Sequence, residues 1–329
     1  MMAVATAERS EPVEVTPRVP DPPVVEVDDM SLGYDGREII HEIGLRVTPG
    51  QIYGLIGPSG GGKTTLLRAI LGLLEPLGGE ARVFGAPATN LPRRLRRRMG
   101  YVPQGFTLYP NLTVGENLSF VAGLYGLGWL HRRRRIKPML AAMELTEHRG
   151  KLARSLSGGM QRRLQLGAAL LHEPDLLLVD EPTAGIDPIL RARCWEEFRA
   201  IADQGRTVVF TTQYVNEAEL CDYVALVADG GLLAEGTPEA LRRTAFDGDV
   251  VELDSPDLDR MAIAELASLP EVARVDDVKP GRVRLIVEDS ARAAPELVRA
   301  LEESGRHVEA ATTSQPSFDE VFTRLVQRA

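Results

Sequence analysis

The chain has 329 residues, of which 44% are hydrophobic and 26% charged, and its formal net charge at neutral pH is −9. This length accommodates one large globular domain and a smaller one, and the acidic balance argues against a general affinity for nucleic acid. Two isolated cysteines indicate a reducing compartment, and no apolar run approaches the length that crosses a bilayer, so we expect a cytoplasmic protein without a membrane span of its own.

The N-terminal part of the chain changes character near residue 24. Residues 1–23 are rich in proline and poor in periodic apolar side chains, and we expect a disordered tail there. Alternating apolar residues predict strands at 24–27 and at 43–47. A short apolar run, 52–56, then leads into a glycine-rich segment, and helical spacing follows at 66–71.

The glycine-rich segment has the form G-x-x-x-x-G-K-[ST], which is typical of a phosphate-binding loop between a strand and a helix. Glycines let successive backbone N–H groups turn toward phosphate oxygens, and the helix N-terminus adds partial positive charge. In this interpretation Lys63 contacts the β- and γ-phosphates of a nucleotide, and the Thr64 hydroxyl is a ligand of Mg²⁺. The alternative is a glycine-rich turn before an ordinary helix. The predicted nucleotide-binding residues of the loop are Gly57, Ser59, Gly60, Gly61, Gly62, Lys63, Thr64 and Thr65.

The next segment is predicted to leave the sheet for a set of helices. A short strand at 82–84 precedes a basic helix over 91–99, and a short strand with a switch-like segment follows at 100–104. From residue 113 to about 169 the pattern is nearly all helical, without a strand signal. We interpret residues 113–169 as an inserted helical subdomain.

The apolar strand at 176–180 ends in Asp180 and is followed by Glu181. Phosphate-loop ATPases hold Mg²⁺ with an acid at the end of such a strand, because the strand's carboxyl end lies beside the loop. Asp180 is therefore the predicted metal-side carboxylate, and Glu181 the group that accepts a proton from the attacking water. The alternative is a solvated strand end. A helix is predicted to begin at residue 187, and an apolar strand follows at 207–212. Apolar strands alternating with helices indicate a sheet that is buried on both faces.

The last part of the chain has a separate pattern. A hairpin at 224–234 and a helix from residue 238 close the first domain near residue 244. Residues 249–329 then show the order β-α-β-β-α-β of a ferredoxin-like α+β domain, with a final helix at 318–326.

A second anion-binding helix start is predicted at Ser157, Gly158 and Gly159, within the sequence Leu156-Ser-Gly-Gly-Met160. The phosphate loop already serves this chain's own nucleotide, so the additional site implies contact with the nucleotide of another subunit. With these motifs in this order, residues 24–244 resemble the ATP-binding subunits of ABC transporters. That resemblance implies a phosphate-loop ATPase domain with a mixed-sheet core, an antiparallel β subdomain and the helical subdomain. Met160 stands where the family's signature commonly has glutamine.

The resemblance also implies roles for single residues. Tyr34 would stack on adenine, although a merely exposed tyrosine at a strand end is the alternative. Gln104 would contact Mg²⁺ and the γ-phosphate and face the membrane partner, and Asp187 would lie in the loop between the two protomers. Ser157, Gly158 and Gly159 would complete the ATP site of the facing protomer.

Gln213 departs from the family pattern, because a switch histidine usually occupies this position. An amide can donate a hydrogen bond to phosphate but cannot carry a proton near neutral pH. We expect slower hydrolysis, with Lys63, Glu181 and Gln213 as the catalytic residues. The alternative is a regulatory module that binds the nucleotide without turnover.

A narrower resemblance links the chain to the ATPases of daunorubicin-resistance-type drug exporters. It is based on Gln213, on the Gly-Gly-Met-Gln of the signature and on the ending at residues 316–322, Pro-Ser-Phe-Asp-Glu-Val-Phe. It implies ATP and Mg²⁺ as cofactors, a separate small integral-membrane permease, and a head-to-tail dimer with itself or a related ATPase. The protein would lie on the inner face of the cell membrane, with membrane contact only through the permease. A soluble ABC ATPase outside transport, or an importer subunit, are the alternatives.

Two arginine runs, at 93–98 and 132–135, remain outside these motifs. Solvated helix faces are the simplest interpretation. Contact with anionic lipid headgroups or with acidic loops of a permease is the functional alternative.

Overall fold

The computed structural model describes residues 22–328, so the prediction of a disordered tail at 1–23 falls almost wholly outside the described residues. No helix between residues 22 and 328 combines the length and apolar character needed to span a bilayer. The strands are β1 (Val25–Tyr34), β2 (Arg37–Val47), β3 (Ile52–Ile56), β4 (Gly78–Val83), β5 (Ala86–Pro87), β6 (Met99–Val102), β7 (Leu176–Asp180), β8 (Thr207–Thr212), β9 (Tyr223–Ala228), β10 (Gly231–Gly236), β11 (Asp249–Asp254), β12 (Val272–Lys279), β13 (Arg282–Val287) and β14 (Ala310–Ser314). The helices are α1 (Lys63–Ile70), α2 (Arg93–Arg96), α3 (Val114–Leu124), α4 (Trp129–Ala142), α5 (Gly158–Leu170), α6 (Pro188–Asp203), α7 (Pro238–Phe246), α8 (Arg260–Ala267), α9 (Ser290–Glu303) and α10 (Phe318–Arg328).

The central sheet has the strand order β10-β9-β3-β8-β7-β6 and is mixed. Strands β9, β3, β8, β7 and β6 are parallel, and the hairpin strand β10 is antiparallel to β9. Every residue of β3, β7 and β8 is buried, as expected for strands covered on both faces. Ile56 pairs with Thr212, and Asp180 with Thr211, so the three carboxyl ends are level at one edge of the sheet.

An antiparallel sheet of order β2-β1-β4-β5 covers the helix that follows the loop. Its apolar side chains share one core with α1, and Leu32, Ile40, Leu66 and Ile70 are fully buried in that core. Gly62 has a φ of +91°, and a Cβ there would lie 2.2 Å from the Ile40 side chain, so both backbone conformation and packing favour glycine at the start of α1. The mixed core sheet and the antiparallel sheet of the predicted fold are both confirmed.

The predicted basic helix over 91–99 is wrong in extent. Helix α2 has only four residues, Arg93–Arg96, and Met99 already begins the buried strand β6. The run of arginines places like charges three and four residues apart, which opposes a longer helix. Met99 pairs instead with Leu176 of β7, so the chain enters the central sheet at this point.

The segment predicted to be helical contains α3, α4 and α5, with short 3-10 turns and one isolated β-bridge between Thr113 and Leu152. A capping box fixes the start of α3: the Thr113 hydroxyl accepts from the Glu116 N–H, and the Glu116 carboxylate accepts from the Thr113 N–H. The helices α3 and α5 pack against each other and bury Leu118 and Leu164 in the core of the central sheet.

The C-terminal strands form an antiparallel sheet of order β12-β13-β11-β14. With α8 and α9 as its helices, this order is that of the ferredoxin-like fold, as predicted. Helix α9 begins at Ser290, because the Asp289 carboxylate caps it by accepting from the N–H groups of residues 291 and 292.

Helix α10 packs outside its own sheet. It contacts α7 and the turn at 215–220, which follows β8, and its residues Phe318, Val321 and Leu325 are buried in the same core as Phe246 of α7. The guanidinium of Arg324 lies 4.1 Å from the Phe246 ring centroid. The chain's last helix therefore joins the C-terminal domain to the larger domain.

Candidate active site

The phosphate loop lies between β3 and α1, at the carboxyl edge of the central sheet. Gly57 donates from its N–H to the Thr212 carbonyl at 3.2 Å, which fixes the loop to β8. A Cβ on Gly57 would lie 1.8 Å from the Val227 carbonyl oxygen, so only glycine fits there. Gly60 and Gly62 have φ values of +84° and +91°, in the left-handed region that glycine adopts without strain.

Lys63 begins α1 and is only 4% exposed. Its ammonium donates to the carbonyls of Gly57 at 2.8 Å and Pro58 at 2.9 Å. Burial lowers the pKa of Lys63, and the carboxylates of Asp180 and Glu181 act in the opposite direction. The structure thus holds a partly desolvated cation against the loop, where an anionic ligand would compensate its burial.

Asp180 lies at the end of β7 and is 2% exposed. One of its oxygens, Oδ1, accepts from the hydroxyls of Thr64 at 2.9 Å and Thr211 at 2.6 Å. A carboxylate and a hydroxyl thus converge beside the phosphate loop, and hard oxygen donors of this kind suit Mg²⁺. Thr211 was not singled out in the sequence, because its contact depends on the register of β7 with β8.

Glu181 follows Asp180 with a φ of +45°, in the left-handed region. Its N–H donates to the Thr211 carbonyl at 3.1 Å and to the Thr211 hydroxyl at 3.0 Å. This turn aims its carboxylate out of the sheet, where it accepts from the Gln104 amide at 2.6 Å. The structure therefore brings together Gln104 and Glu181, which are 77 residues apart in the chain.

Gln213 follows directly after β8 and lies beside the loop. The Ser59 hydroxyl donates to its Oε1 at 2.8 Å. This bond uses the amide oxygen, so the NH₂ group of Gln213 is available as a donor.

Tyr34, at the end of β1, is 37% exposed. Its hydroxyl accepts from the guanidinium of Arg68, on α1, at 3.3 Å. Tyr34 thus lies beside the loop helix, with a ring available to solvent. The Arg68 contact could not be expected from the sequence, since the sequence does not show which face of α1 borders β1.

Ser157 and Asp187 are helix caps that border one groove. The Ser157 hydroxyl caps α5 by accepting from the Met160 N–H at 3.4 Å, and the Asp187 carboxylate caps α6 by accepting from the N–H groups of residues 189 and 190, each at 3.0 Å. The groove has a volume of about 470 Å³, and Gly159 also lines it. Across residues 22–328, no hydrogen bond joins residues 157–159 to the phosphate loop.

Arg162, one turn into α5, is a contact that sequence reasoning missed. Its guanidinium donates to the carbonyls of Pro103 at 2.7 Å, Gln104 at 3.3 Å and Asp180 at 2.9 Å. Burial lowers the pKa of Arg162, while the Asp180 and Glu181 carboxylates favour its charged form. Arg162 therefore connects α5, the helix capped by Ser157, to the segment that carries Gln104 and to the strand end that carries Asp180. Its partners are backbone carbonyls, and residue patterns carry no signal for them.

The loop, the strand-end acids and the mixed sheet define a phosphate-loop nucleoside triphosphatase. Residues 40–184 match the ABC transporter family, and residues 236–326 match the C-terminal domain of DrrA1-3-like ATP-binding proteins. The daunorubicin/doxorubicin resistance ATP-binding protein DrrA of Streptomyces peucetius is 36% identical over 307 residues, which cover 92% of each chain. The Nod factor export ATP-binding protein I of Burkholderia thailandensis is 37% identical over 261 residues, 77% of this chain and 86% of that one.

Solved structures agree with this assignment. The ATP-binding subunit of an ABC transporter superposes with a TM-score of 0.63 at 30% identity, over 67% of this chain and 92% of that one. A dimeric ATP-binding cassette in a post-hydrolysis state, bound to ADP and phosphate, gives a TM-score of 0.60 at 27% identity, over 65% and 98% of the two chains. The chain belongs to the ATPases of the ABC transporter family, with a DrrA-like C-terminal domain, and both resemblances drawn from the sequence are confirmed.

Proposed function

We propose that the chain is the ATP-hydrolysing subunit of an ABC exporter, which dimerises around two ATP molecules and drives a separate membrane permease. The observation that carries this proposal is the hydrogen bond from the Gln104 amide to the Glu181 carboxylate. It connects Glu181, which is suited to activating water, to the Gln104 segment, which follows the edge strand of the sheet and is the proposed contact with the permease. The similarity to a drug-resistance protein and to a Nod factor export protein supports the direction of transport.

The residues of the loop fit the phosphates of ATP. The first backbone N–H groups of α1, those of residues 63–65, have no partner within the helix and can donate to phosphate. The buried Lys63 ammonium would exchange its carbonyl partners for β- and γ-phosphate oxygens. Thr64, Asp180 and Gln104 would hold Mg²⁺ with oxygen ligands. When bound, Mg²⁺ neutralises charge on the β- and γ-phosphates. Tyr34 would provide the stacking surface for adenine.

Hydrolysis is an in-line displacement. A water oxygen forms a bond to the γ-phosphorus, the bond from that phosphorus to the bridging oxygen of ADP breaks, and Glu181 accepts the proton of the water. The Gln104 amide holds the Glu181 carboxylate in place, and Arg162 holds the backbone of Gln104. The Gln213 NH₂ group would donate to the γ-phosphate.

The groove at Ser157, Gly159 and Asp187 is the proposed contact with the partner's nucleotide. The N-terminus of α5 provides backbone N–H groups and a positive dipole end, which attract phosphate. Within the described part of the chain, residues 157–159 form no hydrogen bond to their own phosphate loop, so a second copy of this chain, or a related ATPase, would supply the loop that they complete.

The transport partner would be a small integral-membrane permease that contacts the Gln104 segment, with the ATPase on the inner face of the cell membrane. Closure of the dimer on ATP would move this segment, and hydrolysis would release it. Co-purification of the chain with such a membrane subunit tests this assignment of the partner.

Phosphate release at millimolar Mg·ATP tests hydrolysis, and Gln213 provides the most specific variant. We expect Gln213→Ala to lower turnover by about tenfold, because one hydrogen bond to a charged group is lost, with ATP affinity nearly unchanged. Gln213→His should retain turnover, since imidazole can donate the same bond. A Gln213→Ala chain with unchanged turnover would contradict the proposed role of Gln213.

A further inference from the structure

The charges of this chain are strongly segregated. Residues 81–143 contain eleven Arg or Lys and a single acid, Glu116, whereas the rest of the chain carries 27 basic and 46 acidic residues. A strongly basic segment in an acidic protein indicates a surface for an anionic partner. A helix face that is merely exposed to water does not require its charges to be of one sign.

The fold brings the two arginine runs of this segment together at the turn between α3 and α4. The Arg97 guanidinium of the first run lies against Gly126, 3.0 Å from where a Cβ would be. The Arg132 guanidinium of the second run lies against Gly123 and donates to the Leu127 carbonyl at 2.6 Å. Two runs that are far apart in the sequence thus border one surface.

Part of each run is neutralised, and part is not. Arg98 pairs with Asp175, and Arg135 pairs with Glu173, at one side of this surface. The exposed arginines 93, 94, 97, 133 and 134 form no ion pair with any residue between 22 and 328. We call the surface formed by residues 93–97 and 124–134 the basic face.

The basic face also exposes large apolar side chains. Leu124, Trp129 and Leu130 are 62%, 65% and 63% exposed. Trp129 and Leu130 begin α4, and the Arg133 guanidinium, one turn later, lies 5.2 Å from the Trp129 ring centroid. The buried residues of α4, Ile136 and Leu140, follow about two and three turns after Trp129, so the exposed apolar side chains are confined to the start of the helix.

We infer that the basic face binds anionic phospholipid headgroups directly, beside the permease and not through it. Anionic lipid attracts clustered arginines, whose apolar stems can lie along the interface while the guanidinium groups contact phosphate. Tryptophan and leucine at the same surface suit the boundary between headgroups and acyl chains, where amphipathic rings are favoured. An acidic protein loop would complement the charge but would leave these apolar side chains without a comparable environment.

Vesicle flotation with the purified full chain, without a permease, tests this inference. The probes are vesicles of phosphatidylcholine with and without phosphatidylglycerol. We expect the chain to float only with the anionic vesicles and to be released by salt, since screening weakens exposed charge interactions. The double variant Arg133→Glu/Arg134→Glu should lower binding by about tenfold or more, and Trp129→Ala by less.

The matched control is Arg260→Glu/Arg292→Glu, which makes the same charge change at exposed positions of the C-terminal domain. It should bind anionic vesicles as the wild type does, and ATP turnover of every variant should show that the fold is intact. Three results would overturn the inference: no flotation of the wild type, equal flotation with phosphatidylcholine alone, or unchanged binding of the Arg133/Arg134 variant.

Discussion

Replacement of Glu181 by glutamine is expected to lower ATP hydrolysis by about 10²- to 10⁴-fold, the range for removal of a positioned proton acceptor. Glutamine has nearly the same shape as glutamate and can keep a hydrogen bond to Gln104, which now lies 2.6 Å from the carboxylate. It cannot accept the proton of the attacking water. The turn at Glu181, fixed by its N–H bonds to Thr211, does not involve the carboxylate, so binding of ATP should persist.

Single-turnover phosphate release and equilibrium binding of ATP measure these two effects separately. Glu147→Gln is the matched control, because Glu147 is an exposed glutamate far from the loop in sequence and should leave both quantities unchanged. Near-normal phosphate release by the Glu181→Gln chain would assign the proton acceptor to another group.

Replacement of Lys63 by alanine should impair the site at an earlier step. The loss of charge-assisted hydrogen bonds to phosphate is expected to cost about 1.5–3 kcal/mol, which raises the ATP dissociation constant roughly ten- to 150-fold. Lys63→Arg should not rescue binding. Lys63 is only 4% exposed, and the planar guanidinium of arginine is larger than the ammonium that the surrounding residues enclose.

Equilibrium titration with ATP measures this constant, and Lys137→Ala, at an exposed lysine, is the control. Wild-type affinity of the Lys63→Ala chain would show that the ammonium does not contact the nucleotide. Full rescue by arginine would show that charge alone matters at this position.

The phosphate loop and the strand-end acids could be predicted because their chemistry is local. A G-x-x-x-x-G-K-T segment between a strand and a helix is typical of a phosphate-binding loop. Asp180 could be assigned because it is the acid at the carboxyl end of a buried strand. Arg162 and Arg68 could not be predicted, because their partners are backbone carbonyls and a tyrosine from distant segments. Thr211 depends on strand register, which the apolar run at 207–212 does not specify.

In the C-terminal domain, too, local patterns predict the elements but not the contacts between distant segments. Alternating strands and two amphipathic helices predict the ferredoxin-like order, which the structure confirms. The apolar spacing of Phe318, Val321 and Leu325 indicates a buried helix face but not its partner, and the partner is the helix α7 and the turn at 215–220 of the larger domain. The basic segment at 91–99 was predicted to be one helix from its helical spacing, and that spacing does not reflect the repulsion between clustered arginines.

The central claim is that each ATP site is shared by two chains, with Lys63 from one and Ser157 from the other. A mixture of Lys63→Ala and Ser157→Arg chains tests it, because a mixed dimer contains one intact site and one site with both defects. Each variant alone should have little ATPase activity, and an equal mixture should recover about a quarter of the wild-type activity if chains pair at random in a twofold dimer. Wild-type turnover by the Ser157→Arg chain alone, or no recovery in the mixture, would contradict a shared site.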